Sequence, residues 1–281
     1  MATLPLTGKV AIVTGAASPI GLGRAMAIAL IEAGARVAII DINEDWLEET
    51  GDYVRNIVGK DYVLTHACDI SNSDSAAAAV DKTISDFGGL HILINNAGIM
   101  RTTRDGEYSR SNFWDITTYT WSKVMAVNAN GPFYMAKASA GHMLRQKWGR
   151  IIGVTTSIDS MYREGMCPYG PSKASHEALV ALMAAELANT GVTANVLIPG
   201  GTTDTNMLPA NLEFKQKDLI QPDVMGPPSV WLASEASKSI NGQRFIAYNW
   251  DETLPIIQRL EKAGTPAAWP QLGKQSINPW T

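Results

Sequence analysis

The feature that most constrains this chain is a short β-branched run that ends in glycine and passes at once into an alanine-rich helical pattern. "KVAIVT" (9–14) is apolar throughout and reads as a strand buried on both faces. "GRAMAIALIEAGA" (23–35) carries apolar residues at helical spacing and is stopped by Gly34. The same unit then recurs. "RVAIID" (36–41) is a second strand, "NEDWLEETGDYVRNIVG" a polar-faced helix, and "DYVLTHACDI" (61–70) holds a third strand. "SDSAAAAVDKTISDFGG" is the next helix, with Ser73 as its candidate cap. "HILINNAG" (91–98) is a fourth strand with Asn95 and Asn96 at its carboxyl end. Strand and helix alternating at this pitch specify parallel βαβ units with right-handed crossovers.

The pattern continues without a linker, an internal repeat or a low-complexity segment. A long helical stretch runs from about Tyr119 to Lys147, and "GRIIGVTT" (149–156) is a fifth strand. "YGPSKASHEALVALMAAELA" (169–188) is an amphipathic helix, "GVTANVLIPG" (191–200) a sixth strand and "GQRFIAY" (242–248) a seventh. The predicted fold is therefore α/β, a single doubly wound, Rossmann-type domain over residues 1–250. Its sheet is parallel and seven-stranded, with helices on both faces. A chain of 281 residues, 46% hydrophobic and 18% charged, is large and apolar enough for that one core. Residues 251–281 form a C-terminal extension expected to pack on the domain or on a neighbouring subunit. Within it "LPIIQRLEKAG" reads as a short amphipathic helix and the Pro/Trp-rich remainder as an extended arm. Docking on a neighbouring subunit and walling off a substrate pocket both fit such an arm.

A net charge of −4 gives no electrostatic reason to expect nucleic acid or an anionic membrane as partner. Cys68 and Cys167 match neither a metal spacing nor a disulfide framework. His66, His91, His142 and His176 share no metal-ligand spacing with Cys or Asp, so no metal is expected. The amino terminus lacks the basic segment and apolar run of a signal peptide, and no apolar run reaches the ~18 residues of a membrane span. The expected location is the cytoplasm.

"TGAASPIGLGRA" (14–25) joins the first strand to the first helix, where a dinucleotide fingerprint belongs. Glycines at Gly15, Gly21 and Gly23 let backbone approach a pyrophosphate, and the helix start offers N–H groups to its charge. Two added residues, Pro19 and Ile20, lengthen the usual GxxxGxG spacing. Asp41 stands at the end of the second strand, where an acid accepts hydrogen bonds from a ribose diol and repels a 2′-phosphate. In doubly wound sheets, ligands lie beyond the carboxyl ends of the strands.

Thr14 with Gly15, Gly21 and Gly23, then Asp69, "NNAG" (95–98), Asn128 in "VNANG", "YGPSK" (169–173) and "PGG" (199–201) follow one another in order. By that ordered set the chain resembles the short-chain dehydrogenase/reductase family across nearly all of residues 7–247. The resemblance implies a cofactor site built from Gly15, Ser18, Ile20, Gly21, Gly23, Asp41, Asp69, Ile70, Asn95, Ala97 and Gly98, completed by Tyr169, Lys173, Pro199, Gly200 and Thr202. Asp69 would contact the adenine amino group, although a strand-end cap looks the same in sequence. Members that use NADP tend to carry a basic residue just before the second glycine. Ile20 holds that position here and cannot bind a phosphate, so NAD is the expected cofactor.

Tyr169 and Lys173 are four residues apart on a predicted helix and share one face. A free phenol has a pKa of about 10. A nearby ammonium and the positive charge of a bound nicotinamide both favour the phenolate and should lower that pKa towards the working range. Tyr169 then takes a proton from an alcohol as hydride leaves its carbon, and returns it to a carbonyl in the reverse direction. By resemblance Lys173 also binds the nicotinamide ribose, and Asn128 bends its helix so that backbone and side chain hold a water relaying protons to Lys173.

The family usually places a serine thirteen residues before the tyrosine; Thr156 stands there, followed by Ser157. Either hydroxyl can donate to a substrate oxygen, and Thr156 is the preferred candidate. Residues 101–120, longer and more polar than expected after NNAG, suit a loop beside the substrate or plain surface decoration. The resulting expectation is an NAD(H)-dependent oxidoreductase for a small secondary alcohol or ketone, assembled as a homo-oligomer, tetramer or dimer. An NADP(H)-dependent ketoacyl-type reductase and a non-catalytic dinucleotide-binding regulator are the alternatives.

Overall fold

Eight strands lie in one sheet in the order β3-β2-β1-β4-β5-β6-β7-β8. They are β1 (Val10–Thr14), β2 (Arg36–Asp41), β3 (Val63–Ala67), β4 (Ile92–Asn95), β5 (Gly149–Val154), β6 (Val192–Ile198), β7 (Gln243–Ile246) and β8 (Gly264–Pro266). The computed structural model describes residues 3–100, 111–208 and 216–273. Strands β1 to β7 are parallel and β8 runs antiparallel to β7. The strand order reverses between β1 and β4, the switch point where ligands bind in sheets of this kind, in a crevice over the carboxyl strand ends.

Residues of alternating parity face opposite layers, which is why the strand sequences read as continuous apolar runs. On one face Ala11, Val13, Val37, Ile39, Ile94 and Phe245 pack under α1 (Leu22–Glu32), α2 (Glu44–Val58), α8 (Gly226–Ala233) and α9 (Ile256–Ala263). On the other, Ile12, Ala38, Ile40, Leu93, Ile151 and Val196 pack under α3 (Ser73–Phe87), α5 (Gly131–Arg145) and α7 (Tyr169–Glu186). Two shorter helices, α4 (Thr118–Met125) and α6 (Ile158–Tyr162), lie at the carboxyl ends of the strands.

The structure departs from the sequence expectations in three places. First, the seven-stranded parallel sheet has an eighth, antiparallel strand contributed by the C-terminal extension. After the amphipathic α9 the chain turns back, and Gln243↔Pro266 through Phe245↔Gly264 pair at the β7 edge. Residues 274–281 of the expected arm lie outside the described residues. Second, α3 is capped by Asn72, not Ser73. The Asn72 side chain accepts from the Asp74 and Ser75 N–H groups, at 2.9 and 3.0 Å, and an amide one residue earlier reaches both. Third, the long helix is broken by a π-helical turn at Ala126–Asn130 between α4 and α5. Of the expected loop at 101–120, residues 101–110 lie outside the described residues, and Phe113–Asp115 form a single 3₁₀ turn before α4.

Candidate active site

At the end of β1 the backbone of Gly15 is left-handed, with φ of 62°. A Cβ there would stand 2.6 Å from the Ala97 Cα, so the loops after β1 and β4 touch only because this residue is glycine. Gly23 lets α1 settle on that loop, since a Cβ would fall 2.4 Å from the Gly15 carbonyl oxygen. No side chain caps α1 at Gly21. The N–H groups of its first turn therefore face the crevice without a side-chain acceptor, the arrangement that receives an anionic phosphate.

The inserted residues are tied down on both sides. Ser18 Oγ donates to the Ile20 carbonyl at 3.0 Å, and the Arg24 guanidinium donates to the Pro19 carbonyl at 2.9 Å while stacking on Tyr53. From across the cleft Asn206 donates through its backbone N–H to the Ile20 carbonyl and through Nδ2 to Ser18 Oγ, both at 3.1 Å.

The crevice is a continuous cleft of about 1890 Å³ over the carboxyl ends of the strands. Gly15, Ser18, Ile20 and Gly21 line one part of it, and Asp41, Asp69 and Ile70 the next. Ala97 and Gly98 form its floor, Pro199, Gly200 and Thr202 its far rim, and Thr156, Ser157, Tyr169 and Lys173 its inner end. Asp41 is anchored by backbone. One carboxylate oxygen accepts from Ile42 and Asn43 N–H, at 2.8 and 3.2 Å, and the other from Ala17 N–H at 3.1 Å. Asp69 accepts from the Ser71 N–H and hydroxyl at 2.9 and 2.7 Å, so it is a turn-forming residue as well as a cleft wall. A nicotinamide dinucleotide fits this donor set: an uncapped helix start and glycine backbone for its phosphates, and a carboxylate for a ribose.

Three of the expected site residues, Gly23, Asn95 and Asn128, do not themselves line the cleft. Gly23 is packed behind the loop. Asn95 is buried beneath the floor, where its Nδ2 donates to the Pro132 carbonyl at 3.2 Å. Its neighbour Asn96 faces the cleft and holds the Thr14 and Gly15 carbonyls, each at 2.9 Å. Strand alternation explains the exchange, since adjacent residues point to opposite faces. Asn128 sits fully buried in the π turn. Its Oδ1 accepts from Ile99 N–H at 2.8 Å, and its Nδ2 donates to the Ile99 carbonyl and to Ser172 Oγ at 2.9 and 3.0 Å. With both amide protons committed, the side chain clasps the loop after β4 to α7. Ser172 passes that clasp to the Tyr169 carbonyl at 2.7 Å. Asn96, Ser172 and Asn206 were missed in the sequence; the only signal was that the first two flank residues already singled out.

At the inner end, Tyr169 opens α7 and Lys173 lies one turn along it. Lys173 Nζ donates to the Val154 carbonyl at 2.9 Å and lies 5.9 Å from the Tyr169 ring centre. It also passes 3.1 Å from where a Cβ on Gly98 would stand. Burial pulls the Lys173 ammonium down to about 8. Burial also pushes the Tyr169 phenol up to about 12, opposed by a hydrogen bond with the Thr156 side chain. The lowering expected from the ammonium together with a bound nicotinamide is opposed in the chain alone by desolvation of the phenolate. The two candidate hydroxyls are separated by their partners. Thr156 faces the Tyr169 hydroxyl, whereas Ser157 Oγ pairs with Ser160 Oγ at 2.8 Å.

Residues 9–216 match the short chain dehydrogenase family. The chain is 32% identical to a 2-dehydro-3-deoxy-D-gluconate 5-dehydrogenase of Dickeya dadantii over 252 residues, 85% of this chain and 94% of that protein. It is 30% identical to a 3-oxoacyl-[acyl-carrier-protein] reductase of Aquifex aeolicus, covering 85% of this chain and 96% of the other. Among solved structures, a 3-ketoacyl-(acyl-carrier-protein) reductase from Brucella melitensis, complexed with NADH, superposes with a TM-score of 0.73. That pair is 27% identical, with 84% of this chain and 95% of the other covered. The chain belongs to the short-chain dehydrogenase/reductase family. It is an oxidoreductase acting on CH–OH groups with a nicotinamide dinucleotide. Among the described residues no helix is long and apolar enough to cross a membrane.

Proposed function

We propose that this enzyme interconverts a small secondary alcohol and a ketone with NAD(H), and that Tyr169 moves the proton. The observation that carries this reading is the convergence of Thr156, Tyr169 and Lys173 at one end of a cleft whose other end is the glycine loop and Asp41. A bound nicotinamide supplies or accepts the hydride. In the reducing direction Tyr169, a phenol at about 12, is fully protonated at neutral pH and donates to the carbonyl oxygen. Thr156 donates to the same oxygen and fixes its position. In the oxidising direction Tyr169 must accept the proton, and the Lys173 ammonium beside its ring favours the phenolate.

NAD is preferred over NADP because Asp41 places a carboxylate at the ribose end, and the arginines near the glycine loop and at the start of β2 are engaged elsewhere. Arg24 is held at the Pro19 carbonyl and on Tyr53, and Arg36 is bonded to the Phe87 carbonyl at 2.7 Å. We further propose a cytoplasmic homo-oligomer, in which the exposed apolar side chains of Phe133 on α5 and Leu182 on α7 supply contact area.

The test is a screen of keto acids, keto esters and their alcohols with NADH or NAD, followed by the absorbance of the reduced nicotinamide. On the best substrate, Tyr169→Phe should lower kcat by at least ~100-fold while NADH affinity, read by fluorescence, stays within about twofold. Turnover at the parent rate in this variant refutes the reading.

A further inference from the structure

Three consecutive residues at the carboxyl end of β5 are each gripped by a different charged side chain. Val154 gives its carbonyl to Lys173. Thr155, buried, donates its hydroxyl to Glu177 Oε2 at 2.9 Å. Thr156 gives its carbonyl to Arg244 Nη2 at 2.6 Å. Glu177 and Arg244 are themselves a buried ion pair, with side-chain exposures of 0% and 4%. Tyr169, Lys173 and Glu177 recur every four residues on α7, so one helix face meets the strand end in successive turns.

Arg244 comes from β7, two strands away, where the register aligns it with Val196 of β6 and thereby with Gly153 of β5. The remaining Glu177 oxygen, Oε1, accepts from Ala268 N–H at 3.3 Å, a contact made by the C-terminal extension just after β8.

A buried ion pair is a poor device for stability alone, because desolvation cancels most of its attraction. Its geometry here does something else. The Arg244 fork is divided between the Glu177 carboxylate and the Thr156 carbonyl, so the charge pair fixes the backbone of the residue whose hydroxyl faces Tyr169. We infer that Glu177 and Arg244 are positioning residues for the Thr156 hydroxyl, and that the C-terminal extension completes their grip through Ala268. The inference rests on the reading that Thr156 and Tyr169 handle the substrate oxygen. Neither Glu177 nor Arg244 lines the cleft, so both act through Thr156 and touch neither substrate nor cofactor.

Arg244→Lys is the discriminating variant. A lysine keeps the charge pair with Glu177 and has no planar fork with which to hold the Thr156 carbonyl as well. Its kcat on the best substrate should fall about 10- to 100-fold, the range for a catalytic group displaced by about 1 Å. NADH affinity, KM and the thermal midpoint should remain near those of the parent. If Arg244→Lys does not fold, the double variant Glu177→Leu/Arg244→Met replaces the pair by apolar volume, which the interior tolerates, and should show the same selective loss of kcat. A folded variant with the parent kcat overturns the inference, and so does a kcat loss matched by an equal loss of NADH affinity. Tyr169→Phe and Thr156→Ala, assayed in parallel, separate the two levels. Loss of turnover in both with none in Arg244→Lys sinks only the positioning role. Parent rates in both remove the reading beneath it.

Discussion

Asp41→Ala is the sharpest probe of cofactor choice, because the structure shows what the carboxylate does before any ligand arrives. It accepts three backbone N–H groups, from Ala17 on the glycine loop and from Ile42 and Asn43 after β2. A carboxylate offers about four lone-pair sites, so Asp41 is held in place with limited capacity left for ribose hydroxyls. Each hydrogen bond to a charged group contributes ~1.5–3 kcal/mol. Losing one such bond to the ribose weakens NAD by roughly 10- to 150-fold, at 1.4 kcal/mol per decade. The parent should prefer NADH over NADPH by at least tenfold in Kd, which needs only ~1.4 kcal/mol. In Asp41→Ala the preference should shrink towards parity, since NADH is weakened while repulsion of the 2′-phosphate disappears.

Removal of the Ala17 anchor also loosens the loop, and Asp41→Asn controls for this by keeping one acceptor oxygen without the charge. Fluorescence titration with the two reduced dinucleotides reads the ratio without a substrate. Equal affinities in the parent, or an unchanged ratio in Asp41→Ala, would refute the assignment.

Other outcomes are as definite. Thr156→Ala should reduce kcat at least tenfold and Ser157→Ala by less than threefold, since Ser157 is occupied by Ser160; the reverse order in steady-state assays would transfer the role to Ser157. Tyr169 has a folded pKa near 12 against about 10 unfolded, so its contribution to stability is complete below pH 10 and is lost as pH rises towards 12. Tyr169→Phe should therefore lose less stability than the parent across that window in denaturant titrations; parallel losses would refute it. Truncation after Asp251 removes α9 and β8 and bares the β7 edge. Light scattering should then report an altered assembled mass, and an unchanged mass would show the edge needs no cover.

The central strands β1, β2 and β4 were legible because their interiors are buried and leave nearly unbroken apolar runs, whereas β3 and β7 are partly exposed and were placed by the turns around them. The glycine loop, the tyrosine and the lysine were legible because they follow one another, with the residues between them, in the order of the family the chain resembles. What escaped depended on distance in the chain. Asn206 meets Ser18 across 188 positions and Arg244 meets Thr156 across 88, and no periodicity links such pairs. The exchange of Asn95 for Asn96 had a different cause: a strand boundary one residue off reverses which side chain faces the ligand. Strand β8 was hidden by its length, three residues with a proline, too short for alternation to register.

The π turn at Ala126–Asn130 and the lengthened glycine loop make opposite demands on insertions and deletions. The loop carries two more residues than its usual spacing and absorbs them in a surface excursion held by Arg24 and Asn206. In the helix one residue more or fewer turns everything beyond it by about 100° about the axis. Deleting a single residue from the turn would leave a regular α-helix whose two halves no longer agree. Either Asn128 would swing away from Ile99 and Ser172, or the buried face of α5 would roll off α3. Along this stretch the number of residues is as strictly determined as their identity, whereas about a hundred positions earlier the glycine loop accommodates two extra residues.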